Sequence, residues 1–405
     1  MEEWHTYFLK DIATFSQGIQ VDIDNQFIKK DNGLIRFIRI IDYSKNNEPP
    51  RYISCPKNSY IVNDDDIVMI RYGSQTAGKV VRGISGAIAN NMFKITLNNN
   101  IITNEYAYYY LSQTSVFNNL RGSQSSSTMP AITFELVGRQ KILLPNIRIQ
   151  EKITTILSSL DDKIELNRRI NENLEQQAQA LFKSWFVDFE PFKDGKFVDS
   201  ELGMIPEGWK VVETNKFMKI SRNSINPTKN PNILYAHYSI PAYDETGLPI
   251  FQYGDEIKSN KQEVADNMTL VSKLNPRIKR VWFVEKACEN AICSTEFIPY
   301  QSLNNSPYFL YCYLNSKIFY DSIMTSVNGA TGSHQRFQAN DTLMYLFPYN
   351  EEIIYKFNTI VSGIMIHKSR LIRENMKLAQ LRDTLLPKLM SGELKLSEME
   401  TKLDE

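Results

Sequence analysis

The sequence predicts a mixed α/β (α+β) protein: two similar globular domains separated by two long antiparallel helices packed as a coiled coil, the whole an internal pseudo-two-fold repeat. Three observations predict it. The chain has 405 residues, and single cores rarely grow past about 250–300 residues, so two domains are expected. A polar run of helical character, LNRRINENLEQQAQALFKSWFVDFEPF (166–192), stands mid-chain with no glycine and no proline before Pro191. The apolar stripe that runs into and through it recurs 204 positions later.

The elements follow in order. Residues 1–145 form the first globular domain, 146–187 a central helix, 188–208 a linker, 209–347 the second globular domain, 348–391 a distal helix and 392–405 a tail. In the first domain LIRFIRIID (34–42), DIVMIRYG (66–73) and AIANNMFKITL (87–97) read as strands ended by turn residues. EYAYYYLSQTSVFNNL (105–120) reads as a helix with a tyrosine-rich face, duplicated as YFLYCYLNSKIFYDSI (308–323). Aromatics at helical spacing in both halves are packing faces rather than stacking platforms. The linker is marked by Pro191, Gly195, Gly203, Pro206 and Gly208.

The repeat is explicit. Ile153, Ile156, Leu157, Leu160, Leu174 and Leu181 match Phe357, Ile360, Val361, Ile364, Leu378 and Leu385, each pair 204 positions apart. AIANNMFKI (87–95) matches AICSTEFIP (291–299) at the same offset, and YAYYYLSQTSVF (106–117) matches FLYCYLNSKIFY (309–320) at 203. Leu144-Pro145 parallels Phe347-Pro348, ITFE (132–135) parallels QRFQ (335–338), and Trp4 parallels Trp209. Read as heptads, the a positions of the first helix are Ile153, Leu160, Asn167, Leu174 and Leu181. Those of the second are Phe357, Ile364, Leu371, Leu378 and Leu385. Apolar a positions bury a seam against a partner helix, and Asn167 is the kind of polar seam residue that fixes register. His367 falls at a d position as a tolerated polar residue of the seam. Residues 146–187 as one helix span about 60 Å at ~1.5 Å per residue, more than a domain of this size covers. Two such rods in one chain most simply pack on each other.

Composition excludes several classes. Cys55, Cys288, Cys293 and Cys312 share no zinc-like spacing. MEEWHTYFLK lacks the charged and apolar regions of a signal peptide. No apolar run approaches the ~20 residues of a membrane span. A cytoplasmic protein with reduced thiols is expected. The net charge of +0 excludes a strongly basic coat for nucleic acid, though not a reader whose charge is local.

Local charge points to DNA. From Ile67 to Phe134 the only acidic residue is Glu105. Asn267–Val284 and Ser322–Asn340 hold none. Cations and hydroxyls anchor phosphates, while Arg, Asn and Gln read base edges. Candidate DNA contacts in the first half are Arg71, Tyr72, Ser74, Gln75, Thr76, Lys79, Arg82, Arg121, Ser123, Gln124 and Ser125. In the second half they are Lys273, Asn275, Arg277, Lys279, Arg280, Asn328, Ser333, His334, Gln335 and Arg336. A polar loop with chance charge balance would give one such window; matched windows in both halves favour contact with DNA.

Other motifs lead elsewhere. GSQTAGKVV (73–81) fits G-x-x-x-x-G-K, but Val80, Val81 and Arg82 follow the lysine where a phosphate-binding loop needs Ser or Thr and a helix. Use of this loop by a nucleotide-binding enzyme is the alternative from another class, and an adaptor without DNA contact is a third reading. NEPPRY (47–52) departs from an adenine methyltransferase loop at Glu48 and Arg51. Asp188, Glu190 and Lys193 sit on the linker without a nuclease framework. No nucleophile–base set and no metal-ligand spacing is visible, so no intrinsic catalytic site is expected.

LLPNIRIQEKITTILSSLDDKIELNRRINENLEQQAQALFKSWFVDFEPF (143–192), GMIPEGWKV (203–211) and LRDTLLPKLMSGELKL (381–396) together resemble the specificity subunit of type I restriction–modification systems. The resemblance covers the whole chain. It implies that each globular domain is a target recognition domain reading half of a bipartite double-stranded DNA site. It implies that the helices are spacers that set the gap and dock two modification (methyltransferase) subunits, through which restriction (nuclease/translocase) subunits join. S-adenosylmethionine, ATP and magnesium would belong to those partners, with no cofactor in this chain. A methylation-only system without a nuclease partner is the alternative within the family. Recognition domains of this family diverge, so the base contacts rest on composition alone.

Overall fold

The computed structural model describes residues 4–43, 48–73, 75–122, 131–326 and 335–394. The chain forms two compact units, Met1–Glu165 with Asn375–Glu405, and Leu166–Glu374. Residues 395–405 of the expected tail lie outside the described residues.

In the first unit β1 (His5–Phe8) leads through α1 (Leu9–Ile12) to β2 (Ala13–Gln17). Strands β3 (Leu34–Ile38), β4 (Arg51–Ser54), β5 (Ile61–Val62), β6 (Ile67–Ile70), β7 (Val80–Val81), β8 (Gly86–Ile88) and β9 (Met92–Leu97) follow. Then come α2 (Asn104–Ser112), α3 (Thr114–Gly122), α4 (Phe134–Gly138), β10 (Lys141–Leu144) and the 40-residue α5 (Ile147–Phe186). The strands make two sheets, ordered β2-β9-β6-β7 and β4-β3-β8-β5, and β10 pairs with β1. Every residue of β6 is buried. Strand alternation explains it: Ile67 and Met69 face the helical core, Val68 and Ile70 face the second sheet.

The second unit repeats this plan. A hairpin of β11 (Phe197–Val198) and β12 (Ile205–Pro206) precedes β13 (Lys210–Glu213), β14 (Met218–Ile220), β15 (Ser224–Ile225) and β16 (Leu234–Tyr238). After α6 (Ile240–Glu245) come β17 (Ile250–Tyr253), β18 (Lys261–Glu263), β19 (Met268–Ser272), β20 (Val281–Val284), β21 (Ala291–Cys293) and β22 (Phe297–Ser302). Helices α7 (Pro307–Leu314) and α8 (Lys317–Thr325), β23 (Leu346–Tyr349) and the 40-residue α9 (Glu351–Met390) complete it. The sheets β14-β22-β19-β20 and β15-β18-β21-β16-β17 answer those of the first unit, and β13 pairs with β23. Both units contain a parallel pair, β3 with β8 and β16 with β21, in otherwise antiparallel sheets.

Local chemistry moves several expected boundaries. The strand at 34–42 ends at Ile38, because the Asp42 carboxylate accepts the Arg39 N–H (2.7 Å) and draws the chain into a 3₁₀ turn. The stretch 87–97 is two strands, split by a turn in which Met92 N–H donates to Ala89 O (3.0 Å). The helix at 105–120 is two helices, broken where Gln113 adopts extended backbone. Its duplicate breaks likewise before Ser316, whose side chain caps Phe319 N–H (3.3 Å). Ala89 N–H bonds Ile38 O and Ser294 N–H bonds Tyr238 O, both 2.9 Å, so this strand region repeats at 205 positions rather than 204. Leu144 likewise matches Tyr349, since each pairs with the first residue of its partner strand, His5 and Lys210.

The long helices keep the 204-residue offset. Asn146 and Asn350 cap them, accepting the Ile149 and Ile353 N–H groups at 3.1 and 3.2 Å. Within each unit they run antiparallel. In the first, Ile153 and Leu157 of α5 share a core with Leu386, Leu389 and Met390 of α9. In the second, Ala178, Phe182 and Phe186 pack with Phe357, Val361 and Met365. Asn167 and Leu371 are buried on the seam. His367 is exposed, and so is Ile360, because an α-helix at 3.6 residues per turn drifts off a strict heptad.

The aromatics that end the central run are docking groups. Trp209 lies edge-on to Phe186, Phe189 and Phe192, with centroids 5.3–5.8 Å apart. Its counterpart Trp4 receives the end of α9: Gly392 (φ +72) lies so close that an added Cβ would sit 3.1 Å from the indole.

One polar knot recurs in both units. Asp161 on α5 accepts from Tyr109 of α2 and from Arg382 of α9, each at 2.7 Å. Glu175 on α5 accepts from Tyr311 of α7 (2.6 Å) and from Lys368 of α9. Burial raises the Glu175 carboxyl pKa, but the Lys368 ammonium and hydrogen bonds from Tyr311 and Gln179 outweigh it, leaving it below the usual carboxylate value. The Lys368 and Glu175 side chains retain 19% and 23% exposure. Lys368→Met therefore strands a largely buried carboxylate and should lower stability by about 2–3 kcal/mol at neutral pH. A depressed folded pKa gives stability that is complete above the unfolded value of about 4.3 and is lost as pH falls through the folded one. Urea titrations should show the gap between wild type and variant closing from pH 7 toward pH 3; a gap independent of pH would remove Glu175 as the group that Lys368 serves.

Candidate nucleic-acid interface

The first candidate loop leaves β6 at Arg71 and returns in β7. Arg71 is fastened through its main chain on both sides: its N–H donates to Asn91 O (2.8 Å) and its carbonyl accepts from Ile132 N–H (2.9 Å). Tyr72 forms an antiparallel bridge with Ala131. Gly73 turns the chain at φ +121, where a Cβ would lie 2.2 Å from Thr76 Oγ1. Thr76 Oγ1 donates to Tyr72 O (3.1 Å), and Lys79 N–H donates to Thr76 O (3.0 Å). This leaves Gln75 and Lys79 exposed. The Arg71 guanidinium lies 5.2 Å from the Tyr72 ring centre. Arg82 stacks on Tyr108 at 4.0 Å and lies 4.0 Å from Glu105. Arg121 is exposed in the last turn of α3, 5.3 Å from the Phe117 ring. Because β7 and not a helix follows Lys79, the loop faces no helix N-terminus of its own, which removes the cradle a nucleotide phosphate needs.

The loop after β19 is fastened by a similar first bond and bridge, with a different third bond. Lys273 N–H donates to Glu296 O (2.9 Å), Leu274 bridges Arg336, and Asn275 N–H donates to Gln335 O (2.8 Å). Asn275 takes the left-handed conformation (φ 48) in the corresponding turn. Arg277 and Lys279 are exposed beyond it. The Lys279 ammonium donates to Asn315 O and lies 5.1 Å from the Tyr320 ring; though the side chain is exposed as a whole, desolvation of its ammonium end lowers its pKa against the pull of Glu175.

In each unit, therefore, the fold joins two windows that are far apart in sequence: 71–79 with 131–132, and 273–280 with 335–336. Ser74, Ser123, Gln124, Ser125, Asn328, Ser333 and His334 lie outside the described residues.

Two candidates are engaged by acids that the sequence windows did not contain. Arg280 is 8% exposed and forks onto the Asp244 carboxylate at 2.7 and 2.8 Å, so it belongs to the domain's own framework rather than to its surface. Arg336 forks onto Glu296, both bonds 3.0 Å. Sequence reading missed these partners because Asp244 stands 36 residues from Arg280 and Glu296 40 residues from Arg336. A cavity of about 330 Å³ in the second unit, lined by Asn223, Asn230, Tyr235, Glu263 and Asn290, contains none of the candidates. Among the described residues no group of His, Cys, Asp and Glu is placed to hold a metal ion, and no helix is long and apolar enough to cross a membrane.

Comparison with known proteins agrees with this architecture. Residues 1–176 match the family model described as type I restriction modification DNA specificity domain. The chain is 29% identical to the MjaIX type I restriction enzyme specificity subunit of Methanocaldococcus jannaschii over 326 residues, 76% of this chain and 73% of that one. It is 26% identical to the HindI specificity subunit of Haemophilus influenzae over 372 residues, 76% of this chain and 81% of that one. The crystal structure of a type I restriction–modification S subunit from M. genitalium shares the fold, with a TM-score of 0.55 at 16% identity, over 96% of each chain.

The two arginines of the second loop should separate by experiment. Arg280→Met removes a forked ion pair whose arginine side chain is 10% exposed, and should lower stability by about 1–2 kcal/mol. Arg277→Met, on an exposed site, should stay within about 0.5 kcal/mol of wild type. Thermal melts of the two variants test this; equal losses would contradict the structural role given to Arg280.

Proposed function

We propose that this chain, which belongs to the type I restriction–modification specificity family, reads a bipartite, gapped double-stranded DNA site. Each globular domain, as a target recognition domain, reads one half-site, and the long helices carry two modification (methyltransferase) subunits. Restriction subunits join through those. S-adenosylmethionine, ATP and magnesium are bound by the partners, and the chain itself supplies no chemistry to the cleaved or methylated strand. The complex works in the cytoplasm on chromosomal and invading DNA.

The observation that carries this reading is the pair of matched loops. In both units a cation-bearing loop, polar and turned by a left-handed residue, donates the N–H of its first cation to a neighbouring carbonyl and bridges a second acid-poor segment. Arg71, Gln75, Lys79, Arg121, Lys273 and Arg277 are the side chains we assign to DNA, with Tyr72, Thr76, Asn275 and Gln335 shaping the loops. Lys79 and Arg121, exposed and beside aromatic or turn residues, suit phosphates; Arg71 and Arg277 suit guanine edges.

The test is methylome sequencing of a methylation-free host expressing this chain with its neighbouring methyltransferase, beside the methyltransferase alone. A gapped, two-part motif of methylated adenine should appear only with both. A soluble complex that writes no such motif would overturn the reading. In the same system Arg277→Ala should relax one half-site by about 1–3 kcal/mol. Lys79→Ala should weaken binding to all sequences and reduce the slope of log affinity against log salt by about one. Unaltered motif and affinity in both variants would strike these side chains from the interface.

A further inference from the structure

A duplicated chain faces a choice of partners. The apolar seam residues of α5 recur on α9, so apolar packing alone lets each helix pair with the other or with a second copy of itself. The polar knots do not share this symmetry. Asp161 and Glu175 both lie on α5, and their cations Arg382 and Lys368 both lie on α9. Across the 204-residue repeat, Arg382 corresponds to Ala178 and Lys368 to Ile164. In a pair of two α5 helices with the same geometry, Asp161 would face Ala178 and Glu175 would face Ile164. In a pair of two α9 helices, where Asp161 and Glu175 correspond to Met365 and Ala379, the two cations would face those side chains instead. Glu175 is the more demanding case, since Tyr311 and Asn315 (2.5 Å) already bond it and leave its remaining charge to Lys368. A largely buried charge without its counter-ion is strongly unfavourable.

We propose that these knots are a partner code: the α5 face accepts a helix with cations at the positions of Lys368 and Arg382, which is the second half of this chain, and rejects a second copy of the first half. The device keeps two different globular domains in one molecule despite their common ancestry, and it stands whether or not the DNA reading holds.

The experiment uses the full chain with a protease site placed between Glu201 and Met204, exposed residues of the turn between β11 and β12. After cleavage, light and isotope-heavy preparations are mixed in urea, refolded, and counted by native mass spectrometry. Wild-type halves should exchange between light and heavy but form only first-with-second pairs. Halves carrying Asp161→Asn with Glu175→Gln should form first-with-first pairs at least about tenfold more often. A second chain carries the exchanged charges Asp161→Arg, Glu175→Lys, Lys368→Glu and Arg382→Asp. Its halves should pair with each other and should be at least about tenfold depleted in cross-pairs with wild-type halves. Statistical mixing of exchanged and wild-type halves, or abundant first-with-first pairs in the wild type, would overturn the proposal. The exchanged chain decides the question even if the neutralised one fails to fold.

Discussion

The structure depends on how each globular unit grips two helices at once. A single amphipathic helix of 40 residues with a mostly polar surface has little reason to hold one orientation on a domain. Here the grip is double. An apolar part, Leu386–Met390 in one unit and Phe182–Phe186 in the other, brings the end of one helix into the core made by the start of the other. A polar part, a tyrosine from the domain bonded to a carboxylate that also binds a cation from the facing helix, then fixes register. Hydrophobic contact tolerates sliding by a turn; a partly buried ion pair with a third hydrogen bond tolerates it far less.

This division of labour explains which parts of the fold were legible in the sequence. Helices announce themselves by periodicity: the two long helices expected over 146–187 and 348–391 lie at Ile147–Phe186 and Glu351–Met390, and the Asn350 cap that delays the second start is a single side chain. The repeat itself was visible because packing residues must recur where packing recurs. What the sequence concealed lies at a finer scale. The breaks at Gln113 and before Ser316 depend on single side chains that prefer capping to propagation, and the turn at Ala89–Met92 is carried by one main-chain bond. The candidate interface was legible as composition but not as geometry. Windows that hold no acid in sequence acquire Asp244 and Glu296 in space, and Arg280 changes from a reader to a girder. Charge counts along a chain measure the net field of a segment, whereas a forked ion pair is decided by which strands become neighbours.

The two cores fill the same positions with different chemistry. Around the end of α5 the second unit stacks Phe182, Phe186, Phe217, Phe309, Phe347 and Phe357 edge to face, while the first uses Leu386, Leu389, Met390, Ile153 and Leu144. Both sets exclude water from the same junction. Aromatic edges add directional contacts that aliphatic side chains lack.

The loops carry this logic one step further. Arg71 and Lys273 occupy equivalent places and differ in side chain, yet each donates its main-chain N–H to the corresponding carbonyl, Asn91 O in one unit and Glu296 O in the other. The turns beside them are made by Gly73 and by Asn275, two residue types that share access to positive φ and little else. A loop held by its main chain can change every outward side chain without losing its shape. The sheet then fixes where the loop sits, and the outward side chains are left free to change. Main-chain fastening thus leaves each loop's surface free to vary while the helices, held by charge and register, stay fixed.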